Sequence, residues 1–155
     1  MISTELLRQY PFFGLLNADQ LREIAMISEQ ISFEEGEIVF EKDSPAEALY
    51  FLLEGTISLY YTGENEISQA TWRGIPVGEV NPGEPFSISA LIKPHILTST
   101  AWCSNASRAI KINAVALRKL FKKDPQLAYA LTLKAAQAAI ERLHVTRVQL
   151  AAAWA

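Results

Sequence analysis

Leu49-Tyr50-Phe51-Leu52-Leu53 is an unbroken apolar run closed by Glu54-Gly55. Such a run suits a strand buried on both faces, so something must cover each side of it. Around it the apolar period is two: Ile31 and Phe33, then Ile38 and Phe40, come before it, and Ile57, Leu59 and Tyr61 come after. Glu35-Gly36 and Lys42-Asp43-Ser44-Pro45 supply turn chemistry between these segments. Gly63-Glu64-Asn65-Glu66 reads as a hairpin loop, with Ile67, Ala70 and Trp72 on the returning strand. The stretch Gly74 to Gly83, rich in glycine and proline, is loop or edge strand, and Thr98 to Cys103 and Ser107 to Ile112 return to strand composition. Short strands at close spacing predict an antiparallel sandwich or barrel.

Helices flank this β region. Residues 3–30 read as helical, with Leu6, Leu7 and Tyr10 ahead of Pro11 and a second helix opening at Asn17 or Ala18. Asn113 is a plausible N-cap for a short helix carrying Val115, Leu117, Leu120 and Phe121. Asp124-Pro125 then restarts the chain, with Asp at the N-cap and Pro at the first helical position. No glycine or proline follows as far as Trp154, which predicts one helix of about 30 residues and roughly 45 Å. Tyr129, Leu133, Ala136, Ile140, Leu143, Arg147, Leu150 and Trp154 recur on it at alternating steps of four and three, a heptad seam interrupted by Arg147.

Between the β segments lies Pro85-Phe86-Ser87-Ile88-Ser89-Ala90-Leu91, followed by Leu97-Thr98-Ser99-Thr100. Its small hydroxyl residues and short apolar turn suit a pocket for a small polar ligand, yet no charged residue stands where an anion would be held. Serine and threonine also occur wherever a turn needs local side-chain to backbone bonds.

Composition narrows the function. A chain of 155 residues forms one domain around a single core. A net charge of −3 argues against a nucleic-acid surface, and Arg118, Lys119, Lys122 and Lys123 read as a solvated helix end. No apolar run approaches the roughly 20 residues of a membrane span. The N-terminus lacks the features of a signal peptide, and a lone cysteine, Cys103, leaves no internal disulfide, so a cytoplasmic location is the default. His95 and His144 have no metal-ligand spacing, no nucleophile elbow or phosphate-cradling glycine loop occurs, and Cys103 in a strand reads as a small buried hydrophobe. Neither an enzyme, a metal nor a cofactor is expected.

Gly36-Glu37-Ile38-Val39-Phe40 and Pro45-Ala46-Glu47-Ala48-Leu49-Tyr50-Phe51-Leu52-Leu53-Glu54-Gly55 closely resemble the cyclic nucleotide-binding domain family, over roughly residues 12–145. The resemblance implies an antiparallel β-roll or jelly-roll barrel over residues 31–112. Helices over 1–30 and 113–155 would flank it, with a phosphate-binding cassette at 83–101. In that family the cassette reads Phe-Gly-Glu-x-Ala-Leu, followed nine residues after the Glu by Arg, then two small residues and Thr. Here Phe86, Ala90, Leu91 and Thr100 match, but Ser87 takes the Gly place, Ile88 the Glu place and Leu97 the Arg place. Both ligand-reading charges are gone.

The resemblance therefore implies a regulatory or scaffold module that does not hold cyclic AMP or cyclic GMP in the usual way. Losing the Arg–phosphate partner alone costs about 3–5 kcal/mol, a factor of 10² to 10³ or more in affinity. Lys93 and His95 could supply charge from the rim, or be surface turn residues. Ile88 and Leu97 could pack against each other, or line an apolar pocket for another small molecule. Relatives pair through the long helix, so a homodimer along the seam is expected, with a further protein partner unidentified. Family transcription factors carry a helix-turn-helix beyond that helix; the chain stops at Ala155, so DNA binding is not expected.

Overall fold

The computed structural model describes residues 1–62 and 74–155. The loop at 63–66 and the returning strand through Ile67, Ala70 and Trp72 lie outside the described residues. In chain order the elements are α1 (Thr4–Arg8), a 3-10 turn (Pro11–Phe13), α2 (Ala18–Met26), β1 (Ser28–Phe33), β2 (Ile38–Phe40), β3 (Ala48–Tyr61), β4 (Ile75–Val80), β5 (Pro85–Phe86), a second 3-10 turn (Ile88–Leu91), β6 (Thr100–Asn113), α3 (Ala114–Lys123) and α4 (Pro125–Ala153). The described strands form one antiparallel sheet in the order β1-β6-β3-β4, with β2 added on β6 and β5 on β3. This is the jelly-roll arrangement expected from the sequence, with helices before it and a long helix after it.

The apolar run sits at the start of β3, and its alternate residues face opposite ways because strand side chains do. Leu49, Phe51 and Leu53 join a cluster with the helices, including Leu7, Phe12, Phe13, Ile24, Leu117, Leu127 and Leu131. Tyr50 and Leu52 join a second cluster, inside the roll, with Phe33, Ile57, Val80, Phe86 and Cys103. Phe51 is fully buried, and its ring stands 4.9 Å from Tyr10, 5.4 Å from Phe12 and 5.1 Å from Phe13. On the other face the Tyr50 and Phe86 rings stack at 5.0 Å. The helices are thus the cover that a doubly buried strand requires.

Three readings of the sequence need correction. The N-terminal helical region ends at Met26 rather than 30, because Ser28-Glu29-Gln30 pair with Ile112-Lys111-Ile110 as the start of β1. The Ser28 hydroxyl donates to the Ile24 carbonyl at 2.6 Å, tying off the last turn of α2. Glu54-Gly55 does not end the strand either: β3 continues through it by a bulge against β6. Gly55 has φ of +93°, and a β-carbon there would lie 2.1 Å from Ser107 Oγ, so only glycine lets the bulge close on its neighbour. Likewise, Thr100 to Cys103 and Ser107 to Ile112 belong to a single strand, β6, which runs through the polar Ser104-Asn105-Ala106, while Thr98 and Ser99 form a bend ahead of it.

The helix signals hold. Asn17 and Gln20 form a reciprocal capping box at α2, Asn113 Oδ1 accepts from the Ala116 N–H at 2.9 Å, and Asp124 Oδ1 accepts from the Leu127 N–H at 3.1 Å. Gln20 Nε2 also donates to Asp124 Oδ2 at 3.1 Å, joining the N-terminal helices to the start of α4. That bond first, then those from the Leu127 and Gln126 N–H groups, holds the Asp124 carboxyl below its ordinary value.

Candidate functional site

β5 delivers the chain into the cassette. Phe86 pairs with Tyr50 of β3 and is fully buried, which fixes where the next residue must turn. That residue, Ser87, takes φ +62° and ψ +41°, the left-handed conformation in which the family pattern has glycine. Serine accepts it at modest strain, and its hydroxyl donates to the Ala48 carbonyl at 2.7 Å, so the turn survives the loss of glycine. The 3-10 turn Ile88–Leu91 follows, held by the Ala90 N–H on the Ser87 carbonyl at 3.0 Å and by Arg118 Nη1 on the Ala90 carbonyl at 3.0 Å. Arg118 is therefore tied to the cassette rather than solvated, whereas Lys119, Lys122 and Lys123 are exposed.

The returning arm is stitched to the turn before β3. The Ala46 N–H donates to the His95 carbonyl at 2.8 Å, Leu97 N–H to Ser44 at 2.9 Å, and Asp43 N–H to Leu97 at 2.9 Å. These bonds fix the backbone around Leu97, which shares a border with Ile88 on one open cleft. The cleft holds about 470 Å³, within the usual range of ligand sites. Leu97 is buried at 4% exposure and Ile88 is half-buried, so the pair lines the space without closing it.

Of the residues singled out in the cassette, Phe86, Ser87, Ile88, Ser89, Leu97, Thr98 and Ser99 meet around this cleft. Ala90 is buried in the helix-side core, and Leu91 packs against that core. Leu53 lies in the same core and does not border the cleft. Thr100 is turned away: its hydroxyl accepts from the Lys42 N–H at 3.0 Å, and it lines a separate recess with Ile38, Tyr60 and Trp102. Lys93 and His95 do not line the cleft. Desolvation first, then the charges of Arg118 and Lys93, lowers the His95 pKa from its ordinary 6.5, which leaves the ring neutral at pH 7.

Phe40, Leu59 and Ile92 add apolar wall, and the rest comes from α4. Ala139, Arg142, Leu143 and Thr146 fall at steps of three, one and three, which places them on one helical face, and all four border the cleft. Two bonds hold that face against the roll: Arg142 Nη2 to the Pro85 carbonyl at 2.8 Å, and Thr146 Oγ1 to the Val77 carbonyl at 3.1 Å. Among the described residues, Arg142 is the one charged residue lining the cleft. Burial lowers its pKa from the ordinary value, an effect that the Glu84 carboxylate opposes, and the guanidinium stays charged. Sequence reasoning missed both Arg142 and Thr146. The heptad seam drew attention to the adjacent face, although Thr146 lies one helical step of three beyond Leu143 of that seam.

The seam itself is unpartnered in the single chain. Tyr129, Ile140, Leu150 and Trp154 are 68%, 67%, 59% and 85% exposed; Ala136, Leu143 and Arg147 are also exposed, and Leu133 is half-buried. The opposite side of the helix's first half, with Leu127, Ala130, Leu131 and Ala135, is buried against the core.

Among the described residues, no three His, Cys, Asp or Glu side chains come together as a metal site. Cys103 is buried, with its thiol against the Asn105 carbonyl at 2.8 Å. No described helix is long and apolar enough to cross a membrane.

Comparison with known proteins agrees with this geometry. The family model described as the cyclic nucleotide-binding domain matches residues 30–124. A crystal structure of a candidate cyclic nucleotide-binding protein from Geobacter metallireducens is 38% identical, with a TM-score of 0.81, covering 93% of this chain and 100% of that one. The sensor domain of the transcriptional regulator DNR from Pseudomonas aeruginosa shares the fold at 21% identity and TM-score 0.68, over 87% of this chain and 91% of that one. A candidate potassium channel protein of Rhodopseudomonas palustris is 25% identical over 128 residues; the match covers 83% of this chain but only 29% of the channel protein. On the family match and the fold together, the chain belongs to the cyclic nucleotide-binding domain family.

Proposed function

We propose that this is a non-catalytic regulatory module whose cassette keeps the family's backbone but does not hold cyclic AMP or cyclic GMP in the usual way. The observation that carries this reading is the placement of Ile88 and Leu97. Both line the cleft where the family's pattern puts a ribose-reading Glu and a phosphate-reading Arg, and neither can bind an anion or a hydroxyl. A regulatory role fits the company the fold keeps, in a transcriptional regulator's sensor domain and in part of a candidate channel protein. The test is calorimetric titration with cyclic AMP and cyclic GMP. No heat of binding at sub-millimolar ligand is expected; a micromolar Kd for either overturns the reading.

The module acts as a homodimer through α4. An apolar stripe left in water along Tyr129, Ile140, Leu150 and Trp154 supports this, since such a heptad stripe asks for a second helix. Light scattering after size exclusion should give twice the chain mass, and Ile140→Glu, which places a charge on the seam and away from the cleft, should give a monomer. A monomeric unmutated chain ends the idea.

A further inference from the structure

Taking the cleft to lack the cyclic nucleotide contacts, as proposed above, leaves a largely apolar site of about 470 Å³ with one charge in its wall among the described residues. That charge comes from α4, not from the cassette. The Arg142 guanidinium is half-buried, uses one N–H on the Pro85 carbonyl, and has no carboxylate within ion-pair distance among the described residues. Among the described residues its other N–H groups have no partner, and no fully buried side-chain nitrogen lacks one, so they are reached by solvent. A half-buried cation whose remaining donors face water can take an anion in that water's place, with charge-assisted hydrogen bonds.

Direction of approach is decided by the surroundings. On its other side Arg142 borders a smaller recess of about 100 Å³ that also carries Glu79, Glu84 and Glu141, which repel an anion. The nearer carboxylate, Glu84, is occupied as acceptor of the Asn81 N–H at 2.6 Å. The larger cleft has no acidic residue in its wall among the described residues. An anion therefore meets Arg142 from the cleft side, with its body against Phe86, Ile88, Leu97 and Leu143. The hydroxyls of Ser89, Thr98 and Ser99 line the same space and make no bond within the described residues, so they offer neutral polar contacts.

We infer that the cleft binds a small amphipathic monocarboxylate, its carboxylate paired with Arg142 of the long helix and its apolar body on the hydrocarbon that replaced the cassette charges. The fork of guanidinium donors matches a carboxylate in two parallel bonds. A cyclic nucleotide fits less well, because its ribose hydroxyl would face Ile88.

The test uses the full chain and two probes of one shape, octanoate and octanamide, titrated by calorimetry beside cyclic AMP. Octanoate should bind the unmutated protein at least tenfold more tightly than octanamide. R142Q should abolish that preference, and R142K, which keeps charge without the fork, should restore part of it. A139W, on an exposed position of α4 that borders the cleft, should block both probes with Arg142 intact. Equal binding of the two probes, no binding of octanoate, or a preference that survives R142Q overturns the inference. If cyclic AMP stays silent in these cases, the earlier reading of the cassette stands while this one falls. If cyclic AMP binds with micromolar Kd, the earlier reading falls on its own measurement.

Discussion

If hydrocarbon at two positions is what excludes a cyclic nucleotide, then restoring the two charges should admit one. The perturbation is the double variant I88E/L97R. Leu97 is 4% exposed, so its removal costs about 1.5–3 kcal/mol of buried apolar contact. Part of that returns, because Leu97 borders the cleft and an arginine there can lay its stem on the same surface while its head reaches the cleft. A domain of this size, with roughly 5–15 kcal/mol of stability, tolerates that loss. No third change is needed, since Ser87 already holds the left-handed turn that the family gives to glycine.

On the ligand side, the regained Arg–phosphate contact is worth a factor of about 10² to 10³ in affinity. At a hundredfold excess over Kd, cyclic AMP would then add about 2.7 kcal/mol, which raises the melting temperature by roughly 5–10 °C for a chain of this length. Thermal unfolding with and without cyclic AMP, followed by calorimetry, reads both quantities. The unmutated protein should show no shift. A double variant that folds yet stays silent to cyclic AMP refutes the reasoning, because the missing affinity would then lie elsewhere than at 88 and 97.

Three further outcomes are expected. G55A should destabilise by more than about 1 kcal/mol in urea unfolding, while G83A, with φ of +89° but nothing within 4 Å of its added carbon, should lose less. F51A should cost about 3–5 kcal/mol, since it removes a fully buried ring and three aromatic contacts together; a shift in urea midpoint below a third of that would mean the helices do not depend on it. The Asp124 carboxyl is depressed in the fold, so its contribution is present above the ordinary 3.8 and lost as pH falls through the folded value. The stability difference between D124N and the unmutated protein, followed by circular dichroism against pH, should therefore vanish in acid. A difference independent of pH would refute the assignment.

What the sequence discloses, and what it hides, follows from how local each cause is. The five-residue apolar run and the Asp-Pro helix start act through their own residues, and both are visible in the chain. Ser28-Glu29-Gln30 carries no apolar alternation; it is a strand because Ile112, Lys111 and Ile110 pair with it from far along the chain. Gly55 looks like a stop, since glycine usually ends a strand pattern. Its meaning as a bulge depends on Ser107 approaching from β6. The cassette residues share the same limit: Thr100 matches the family pattern in sequence, yet its hydroxyl is taken by the Lys42 backbone on the far side of the strand.

The long helix shows why a single periodicity is an incomplete guide. Read in sevens, α4 yields one seam and one conclusion about pairing. In the fold its second half carries two distinct faces: the exposed stripe through Ile140 and Leu150, and the cleft face through Ala139, Arg142 and Thr146, pinned to Pro85 and Val77. Leu143 belongs to both, since it lies on the seam and borders the cleft. An occupant of the cleft thus touches the same helix that a second copy would grip. Any ligand that favours the pinned position of Arg142 and Thr146 also fixes where the seam points, by the rigidity of the helix between them. The charge that left the cassette and the charge that now lines the site stand on different elements. If the cleft takes its ligand through Arg142 as proposed, recognition would be tied to the surface through which the module would pair.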